Sequence, residues 1–141
     1  MDSSAIFIDD GLEEKAKDRY KKRRNNLISQ LNYPILISAI RSMPGQHNAW
    51  ANIYIPIFQE PLFLYLTGIN QPNVYLLLNP HHPTEKETLF VPEKDPHFEF
   101  WEGPRFGISD DASIEDIKTI TGIEAVHYDD ELIDCLTDHV K

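Results

Sequence analysis

Residues 63–91 read FLYLTGINQPNVYLLLNPHHPTEKETLFV, and the predicted fold depends mainly on this stretch. Three short apolar runs lie within it, at Phe63–Thr67, Val74–Leu78 and Thr88–Val91, and residues that favour turns separate them. Short apolar runs between turns are typical of buried strands, so we predict one strand for each run. The turn between the first two runs is short, which predicts that they form a hairpin-like pair.

A helix and two further strands are predicted on the N-terminal side of this stretch. Residues 12–31 combine many charges with a sparse apolar stripe at helical spacing, which predicts an amphipathic helix. Residues 34–40, PILISAI, are a continuous apolar run rich in β-branched residues and predict a buried strand. Residues 53–57 alternate enough to predict an edge strand within a long connection.

Three helices and one strand are predicted on the C-terminal side. Asp95 followed by Pro96 is a favoured helix start, and Ser113 begins a capping-box-like pattern whose helix stops at Gly122. Residues 125–128 predict a short strand, after which Asp129 is placed to cap a last helix. Because strands alternate with helices, we predict an α/β fold with a mixed central sheet flanked by helices.

The charge of the chain is distributed unevenly. The formal net charge is −10, yet seven of the thirteen Lys and Arg residues lie between Lys15 and Arg24. An acidic surface repels nucleic acid, so only this basic stretch could bind a polyanion. We interpret the stretch as the solvated face of an amphipathic helix. Packing of this basic helix against the acidic remainder of the domain would also be favourable. The sequence therefore predicts no nucleic-acid partner.

Length and composition predict one soluble domain. The 141 residues fit a single core, and the single cysteine, Cys135, suits a reducing compartment. No apolar run approaches the roughly 20 residues that span a bilayer, so no membrane partner is predicted. The first fourteen residues carry five acids and no base, unlike a transit peptide. We predict a flexible leader at 1–14, a folded domain at 15–141 and a cytoplasmic location.

A search for a self-contained active site finds none. The six histidines lack helical metal spacing, and His81 and His82 lie between prolines in a predicted surface loop. Cys135 has no neighbouring signal of a nucleophile, and no nucleophile-elbow, phosphate-loop or dinucleotide motif occurs. We therefore predict that this chain alone is not catalytic, with no metal ligands and no cofactor of its own.

The segment Glu99–Gly107, EFWEGPRFG, is the exception to this uniform picture. One interpretation is that Phe100 and Trp101 anchor a short helix on the sheet while Arg105 forms a structural ion pair. The other is that Trp101, beside a turn that contains glycine, presents a flat apolar wall to a ligand or partner.

The order of three motifs resembles the N-terminal domain of aminopeptidase P, in the group of creatinase, prolidase and Xaa-Pro aminopeptidase. The first two motifs are the strand-and-turn block YLTGxxxP and the block LFVPxKD, and the third is ExWxGxRxG. The matching residues are Tyr65, Leu66, Thr67, Gly68 and Pro72, then Leu89, Phe90, Val91, Pro92, Lys94 and Asp95, then Glu99, Trp101, Gly103, Arg105 and Gly107. The basic first helix also matches, so the resemblance covers about residues 15–141.

This resemblance implies a creatinase N-terminal-domain architecture, a ribonuclease-H-like layered fold. It also implies a separate catalytic domain of the pita-bread fold, absent from this chain, in which two manganese ions serve to hydrolyse the bond before a proline. The expected partners are that C-terminal catalytic domain, further copies of the chain in a homo-oligomer, and a peptide substrate with proline second. Trp101, Arg105 and Glu99 are the residues expected at the substrate pocket or subunit interface.

The sequence departs from the family pattern at three positions near these motifs. Ile69 replaces the usual aromatic residue, Gln71 replaces the usual acid, and Pro104 stands where a second arginine is common. These departures concern the contacts of the substrate pocket and leave the predicted fold unchanged. Two alternatives for the function stay open. One is a protein-binding module of a catalytically inactive homologue, comparable to a histone-chaperone subunit, and the other is the N-terminal domain of a prolidase or creatinase.

Overall fold

Residues 14–41, 59–102 and 105–139 are described by a computed structural model of the chain. Within these residues the helices are α1 (Glu14–Ile28), α2 (Pro61–Thr67), α3 (Pro96–Glu102), α4 (Asp111–Thr121) and α5 (Leu132–His139). The strands are β1 (Ile35–Ser38), β2 (Tyr75–Leu78), β3 (Glu87–Val91) and β4 (Ala125–Tyr128). A short 3₁₀ turn, Asp129–Glu131, leads from β4 into α5.

The four strands form one mixed sheet in the order β1-β2-β3-β4. Leu36 faces Leu77 and Leu76 faces Leu89 in antiparallel pairs, whereas Leu89 faces Val126 in a parallel pair. A parallel pair needs a crossover, and α4 supplies it between β3 and β4. The predicted α/β class with a mixed central sheet is therefore confirmed.

The core lies on both sides of the central strands. Every residue of β3 is buried, as expected for a strand that is covered on both faces. Phe63 from α2 and Ile117 from α4 belong to the same buried cluster as Leu89. Helices therefore cover the sheet, and because β2 and β3 are antiparallel, the turn before β2 and the loop after β3 lie at the same end of it.

The strand predicted for Phe63–Thr67 is wrong, because these residues form α2. The carboxylate of Glu60 accepts a hydrogen bond from the Phe63 backbone at 2.8 Å, and Pro61 occupies the first turn. Gly68 then ends the helix with φ = 72°. Because α2 is helical, the predicted hairpin-like pair is also wrong, and β2 pairs instead with β1 and β3.

The other predicted elements agree with the structure except at their ends. The strands at 34–40, 74–78, 88–91 and 125–128 are confirmed, as is the helix that begins at Pro96. Helix α1 ends at Ile28 rather than at residue 31, and the edge strand predicted at 53–57 lies outside the described residues.

The starts of the last two helices also differ from the prediction. The residue that caps α4 is Asp110, which bonds the Ser113 backbone at 2.8 Å, while Ser113 closes the capping box. Gly122 ends this helix, as predicted, with φ = 72°. Asp129 begins the 3₁₀ turn, so α5 itself starts at Leu132.

Candidate functional site

A cleft of about 430 Å³, lined mainly by polar and charged residues, opens where three loops meet beside the sheet. Its walls come from the turn 71–73, from residues 92–95 that follow β3, and from residues 105–107. Arg41, Tyr75, Glu99 and Asp129 complete the lining. The cleft therefore brings together Glu99 and Arg105, two of the three site residues that the sequence predicts.

Charges of both signs line this cleft. The bases are Arg41, Lys94 and Arg105, and the acids are Glu93, Asp95, Glu99 and Asp129. Burial raises the pKa of the Asp129 carboxyl above its ordinary value; backbone hydrogen bonds oppose this shift and the negative charge of Asp130 adds to it. Such a lining suits a polar ligand or protein surface that carries both signs of charge better than a polyanion.

Glu99 connects two adjacent loops of the cleft wall, residues 92–95 and residues 105–107. Its carboxylate is 2.7 Å from the Lys94 ammonium and accepts a hydrogen bond from the Arg105 backbone N–H at 2.8 Å. Burial raises the pKa of Glu99, but the hydrogen bonds from Lys94 and Arg105 and the charges of both bases outweigh it. The pKa of Glu99 therefore lies below its ordinary value of 4.5.

We expect Glu99→Gln to lower the free energy of unfolding by roughly 1 kcal/mol at neutral pH, because the partly exposed ion pair with Lys94 is lost. A depressed pKa contributes stability above the unfolded-state value, and this contribution disappears as the pH falls through the folded-state pKa. Urea unfolding at a series of pH values should thus show the two proteins converging below pH 4.5. Glu93→Gln, an exposed acid on the same cleft, is the control. A Glu99→Gln difference that persists unchanged in acid would contradict this assignment.

The structure places the third predicted residue, Trp101, by its backbone only. Trp101 lies in the last turn of α3, two residues after Glu99, and its side chain falls outside what the structure describes. Phe100 is 79% exposed, so the prediction that it anchors α3 on the sheet is wrong. Glu99 is turned toward the cleft, and a one-residue step rotates the next side chain by about 100° around the helix axis. Phe100 consequently faces solvent.

The sequence did not reveal the role of two buried glutamines, Gln71 in the wall of the cleft and Gln59 behind it. The Gln71 amide exchanges two hydrogen bonds with the backbone of Phe106, donating at 2.9 Å and accepting at 2.7 Å. Gln59 in turn donates to the Gln71 carbonyl at 2.9 Å. No local sequence pattern distinguishes a buried glutamine in a turn from an exposed one. The one signal in the sequence was that Gln71 replaces the acid that is usual in the family pattern.

The basic helix α1 is also more than a solvated face. Lys17 and Lys21 donate to the carbonyls of Thr119 and Gly122, at the end of α4, while Arg23 donates to the carbonyl of Tyr65 in α2. Arg24 is fully buried, so the prediction of a solvated charge is wrong at this position. Bases beside helix C-termini interact favourably with the free carbonyls and with the helix dipole. The basic stretch therefore binds this chain's own helix ends.

The histidine and cysteine side chains outside the cleft that could have carried chemistry, His81 and Cys135, lie in surroundings that do not activate them. His81 is exposed in the predicted loop and lies 2.8 Å from the Asn32 carbonyl. Burial raises the pKa of the Cys135 thiol, and neighbouring carboxylates raise it further, which disfavours the nucleophilic thiolate. Among the described residues, no three His, Cys, Asp or Glu side chains are grouped so that they could hold a metal ion.

No helix in the described ranges is long and apolar enough to cross a membrane.

Known peptidases resemble this chain in sequence. The Xaa-Pro aminopeptidase of Haemophilus influenzae is 30% identical over 92 residues, which are 65% of this chain and 21% of that protein. Intermediate cleaving peptidase 55 of Schizosaccharomyces pombe is 38% identical over 93 residues, which are 62% of this chain and 18% of that protein. The chain thus spans about a fifth of the length of these relatives. Because the relatives are peptidases, the alternative of a binding module is not favoured.

Solved structures of aminopeptidase P share the fold. Zn-substituted aminopeptidase P of Escherichia coli in complex with product superposes with a TM-score of 0.67 at 25% identity, covering 87% of this chain and 26% of that one. Aminopeptidase PepP of Pseudomonas aeruginosa gives 0.65 at 25% identity, covering 85% of this chain and 25% of that one. The family model for the aminopeptidase P N-terminal domain matches residues 20–141. The chain therefore belongs to the family of aminopeptidase P N-terminal domains.

Proposed function

We propose that this chain is the non-catalytic N-terminal domain of a metal-dependent Xaa-Pro aminopeptidase. The family match over residues 20–141 carries this proposal, because it includes all four strands of the sheet and the residues that line the cleft. The matched relatives are about five times longer than the aligned part, which leaves room in them for a separate catalytic domain. That domain would hydrolyse the bond between an N-terminal residue and a following proline.

The metal belongs to the catalytic domain in this proposal. One structural relative is a zinc-substituted form, which supports metal-dependent chemistry in the family, and we propose two manganese ions for the protein that contains this chain. Among the described residues no set of metal ligands is found. In this proposal the domain contributes to substrate binding and to the assembly of the oligomer. We further propose that it helps to form a homo-oligomer.

The segment Glu99–Gly107 is the proposed point of contact with substrate or with a neighbouring subunit. Glu99 and Arg105 line the cleft, and Trp101 follows Glu99 in the same short helix. A proline ring has apolar faces and its nitrogen has no hydrogen to donate in a peptide bond, so a tryptophan face is a suitable wall for it. Charges of both signs in the cleft suit the ends and polar groups of a peptide.

We expect Trp101→Ala in the complete protein to lower kcat/KM for an Xaa-Pro peptide by about tenfold, because an apolar wall for the proline ring is lost. The metal content, measured by elemental analysis, should stay at the wild-type level. Tyr33→Ala is the control, since it removes an aromatic side chain that is 77% exposed and lies outside the segment Glu99–Gly107, and it should leave kcat/KM unchanged.

Two outcomes would count against the proposal. Unchanged kinetics for Trp101→Ala would leave this residue with a packing role only. Turnover of an Xaa-Pro peptide by the 141-residue chain alone, with manganese added, would show that the chemistry does not need a separate domain. The coding sequence that follows Lys141 supplies a third check, because the proposal requires two Asp, one His and two Glu there in a metal-binding pattern.

A further inference from the structure

The side chain of Gln71 forms a two-bond clamp on the loop that carries Arg105. Its amide nitrogen donates to the Phe106 carbonyl at 2.9 Å, and its amide oxygen accepts from the Phe106 N–H at 2.7 Å. Only 2% of Gln71 is exposed, so water does not replace either bond. The clamp reproduces the pairing that a neighbouring β-strand would offer to this one residue.

Gln59 holds Gln71 in place by the same chemistry. Its amide nitrogen donates to the carbonyls of Ile69 and Gln71 at 3.1 and 2.9 Å. Its amide oxygen accepts from the backbone N–H groups of Ile40 and Glu60 at 2.8 and 2.9 Å. All four hydrogen-bonding positions of a primary amide are therefore used. The end of β1, the start of α2 and the turn before β2 are joined at this single side chain.

The clamped loop has little freedom of its own. The Phe106 ring is buried in the core, and Ile108 exchanges backbone hydrogen bonds with Pro92 and Lys94 at 3.1 and 3.0 Å. A Cβ atom on Gly107 would lie 2.6 Å from the Lys94 Cα, so the loop packs directly on that backbone. Arg105, the next residue toward the cleft, bonds Glu99 through its own N–H at 2.8 Å. A shift of Phe106 would consequently move Arg105 and, through the Arg105 N–H, the Glu99 carboxylate.

We propose that Gln71, fixed by Gln59, is a positioning residue that sets the place of Arg105 and Glu99 in the cleft. Its link to substrate rests on the proposed function, whereas its effect on the loop does not. Only a group that both donates and accepts can satisfy the two backbone groups of Phe106. A glutamate of nearly the same size accepts from the N–H but places negative charge against the carbonyl oxygen.

The test compares Gln71→Glu with Gln30→Glu, the same change at an exposed position. Amide hydrogen exchange of the 141-residue chain is followed by NMR at neutral pH. We expect the Arg105 amide to exchange about tenfold faster in Gln71→Glu, since a buried group that loses its partner is costly. The amides of β3 should keep their protection. In acid, the Arg105 amide of Gln71→Glu should exchange at the same rate as that of the wild type measured at the same pH. The reason is that a neutral carboxyl both donates and accepts a hydrogen bond, as the amide does.

The second measurement uses the complete protein with an Xaa-Pro peptide. Gln71→Glu should raise KM about tenfold with a much smaller change in kcat, because the residue positions a binding group and does not touch the reacting bond. If Gln71→Glu does not fold, Gln71→Met removes both hydrogen bonds without adding charge and is measured in its place.

The results test the positioning role of Gln71 and the proposed function separately. Faster exchange at Arg105 with an intact β3, together with a raised KM, supports the positioning role. Unchanged exchange at Arg105, equal acceleration throughout the chain, or an unchanged KM in an active enzyme overturns it. If the wild-type complete protein does not cleave Xaa-Pro peptides, the proposed function fails, and the exchange data alone judge the role of Gln71.

Discussion

Replacing Arg24 by methionine should lower the free energy of unfolding by about 3–5 kcal/mol, because it leaves a buried carboxylate without its partner. The Arg24 guanidinium is fully buried and lies 2.7 Å from the Glu87 carboxylate. It also donates to the carbonyls of Leu66 and Thr121 at 3.0 and 3.5 Å. One side chain of α1 therefore joins the ends of α2 and α4 to the first residue of β3.

Glu87 has little to compensate for such a loss. Its other carboxylate oxygen is buried without a hydrogen-bond partner among the described residues. When only one partner of a buried pair is removed, the remaining charge bears the full cost of its burial. Replacing both with apolar residues is much less costly, so the double variant Arg24→Met/Glu87→Met should regain most of the lost stability.

Urea unfolding of the single and double variants measures this coupling. Lys22→Met is the matched control, because Lys22 is exposed on the same helix and its change should stay within about 0.5 kcal/mol of wild type. A single variant at Arg24 as stable as this control would show that the buried pair contributes nothing. A double variant no better than the single one would show that the cost comes from lost packing and not from an unpaired charge.

Gly68→Ala should destabilise the chain by about 2–5 kcal/mol, and Gly122→Ala by only about 1–2 kcal/mol. Both glycines end a helix with φ = 72°, so the strain of the left-handed conformation is the same. Both also follow a threonine whose hydroxyl donates back into the helix, to Phe63 in α2 and to Ile117 in α4. The two positions differ in what a new methyl group would meet.

At position 68 the added Cβ would lie 2.5 Å from the Tyr20 ring, which is buried and has the guanidinium of Arg23 5.4 Å from its centre. At position 122 it would lie 3.0 Å from the Lys17 side chain, which is flexible and can move away. Thermal or urea unfolding of the two variants measures the difference. Equal losses would mean that backbone strain accounts for both and that Tyr20 yields without cost.

Much of the fold was predictable because its signals are local. The proline after Asp95 and the glycine at position 122 mark helix ends through their own backbone preferences. The runs at 74–78 and 88–91 are mostly apolar because their strands are covered on both faces. The motif around Glu99 and Arg105 was likewise visible in the sequence, and the structure brings both residues to one cleft.

The run at 63–67 shows where local reading fails. A short apolar run has the same composition in a buried strand and in a short helix, so its ends must decide. Here the signals were Pro61 at the start and the Thr-Gly pair at the end, the same pair that ends α4. Without the cap formed by Glu60, composition alone favoured the wrong element.

What the sequence by itself determined is the α/β class, most of the element positions, the family motif and the segment where a ligand or partner could bind. What only the tertiary structure decided is the role of polar side chains that act at a distance. In the sequence, Arg24 is indistinguishable from a solvated base and Gln71 from an ordinary turn residue. Only the folded structure shows that Arg24 pairs with Glu87 of β3 and that Gln71 binds the backbone of Phe106. The physical reason is that the value of a charge or an amide depends on burial and on its partner, and chain folding supplies both.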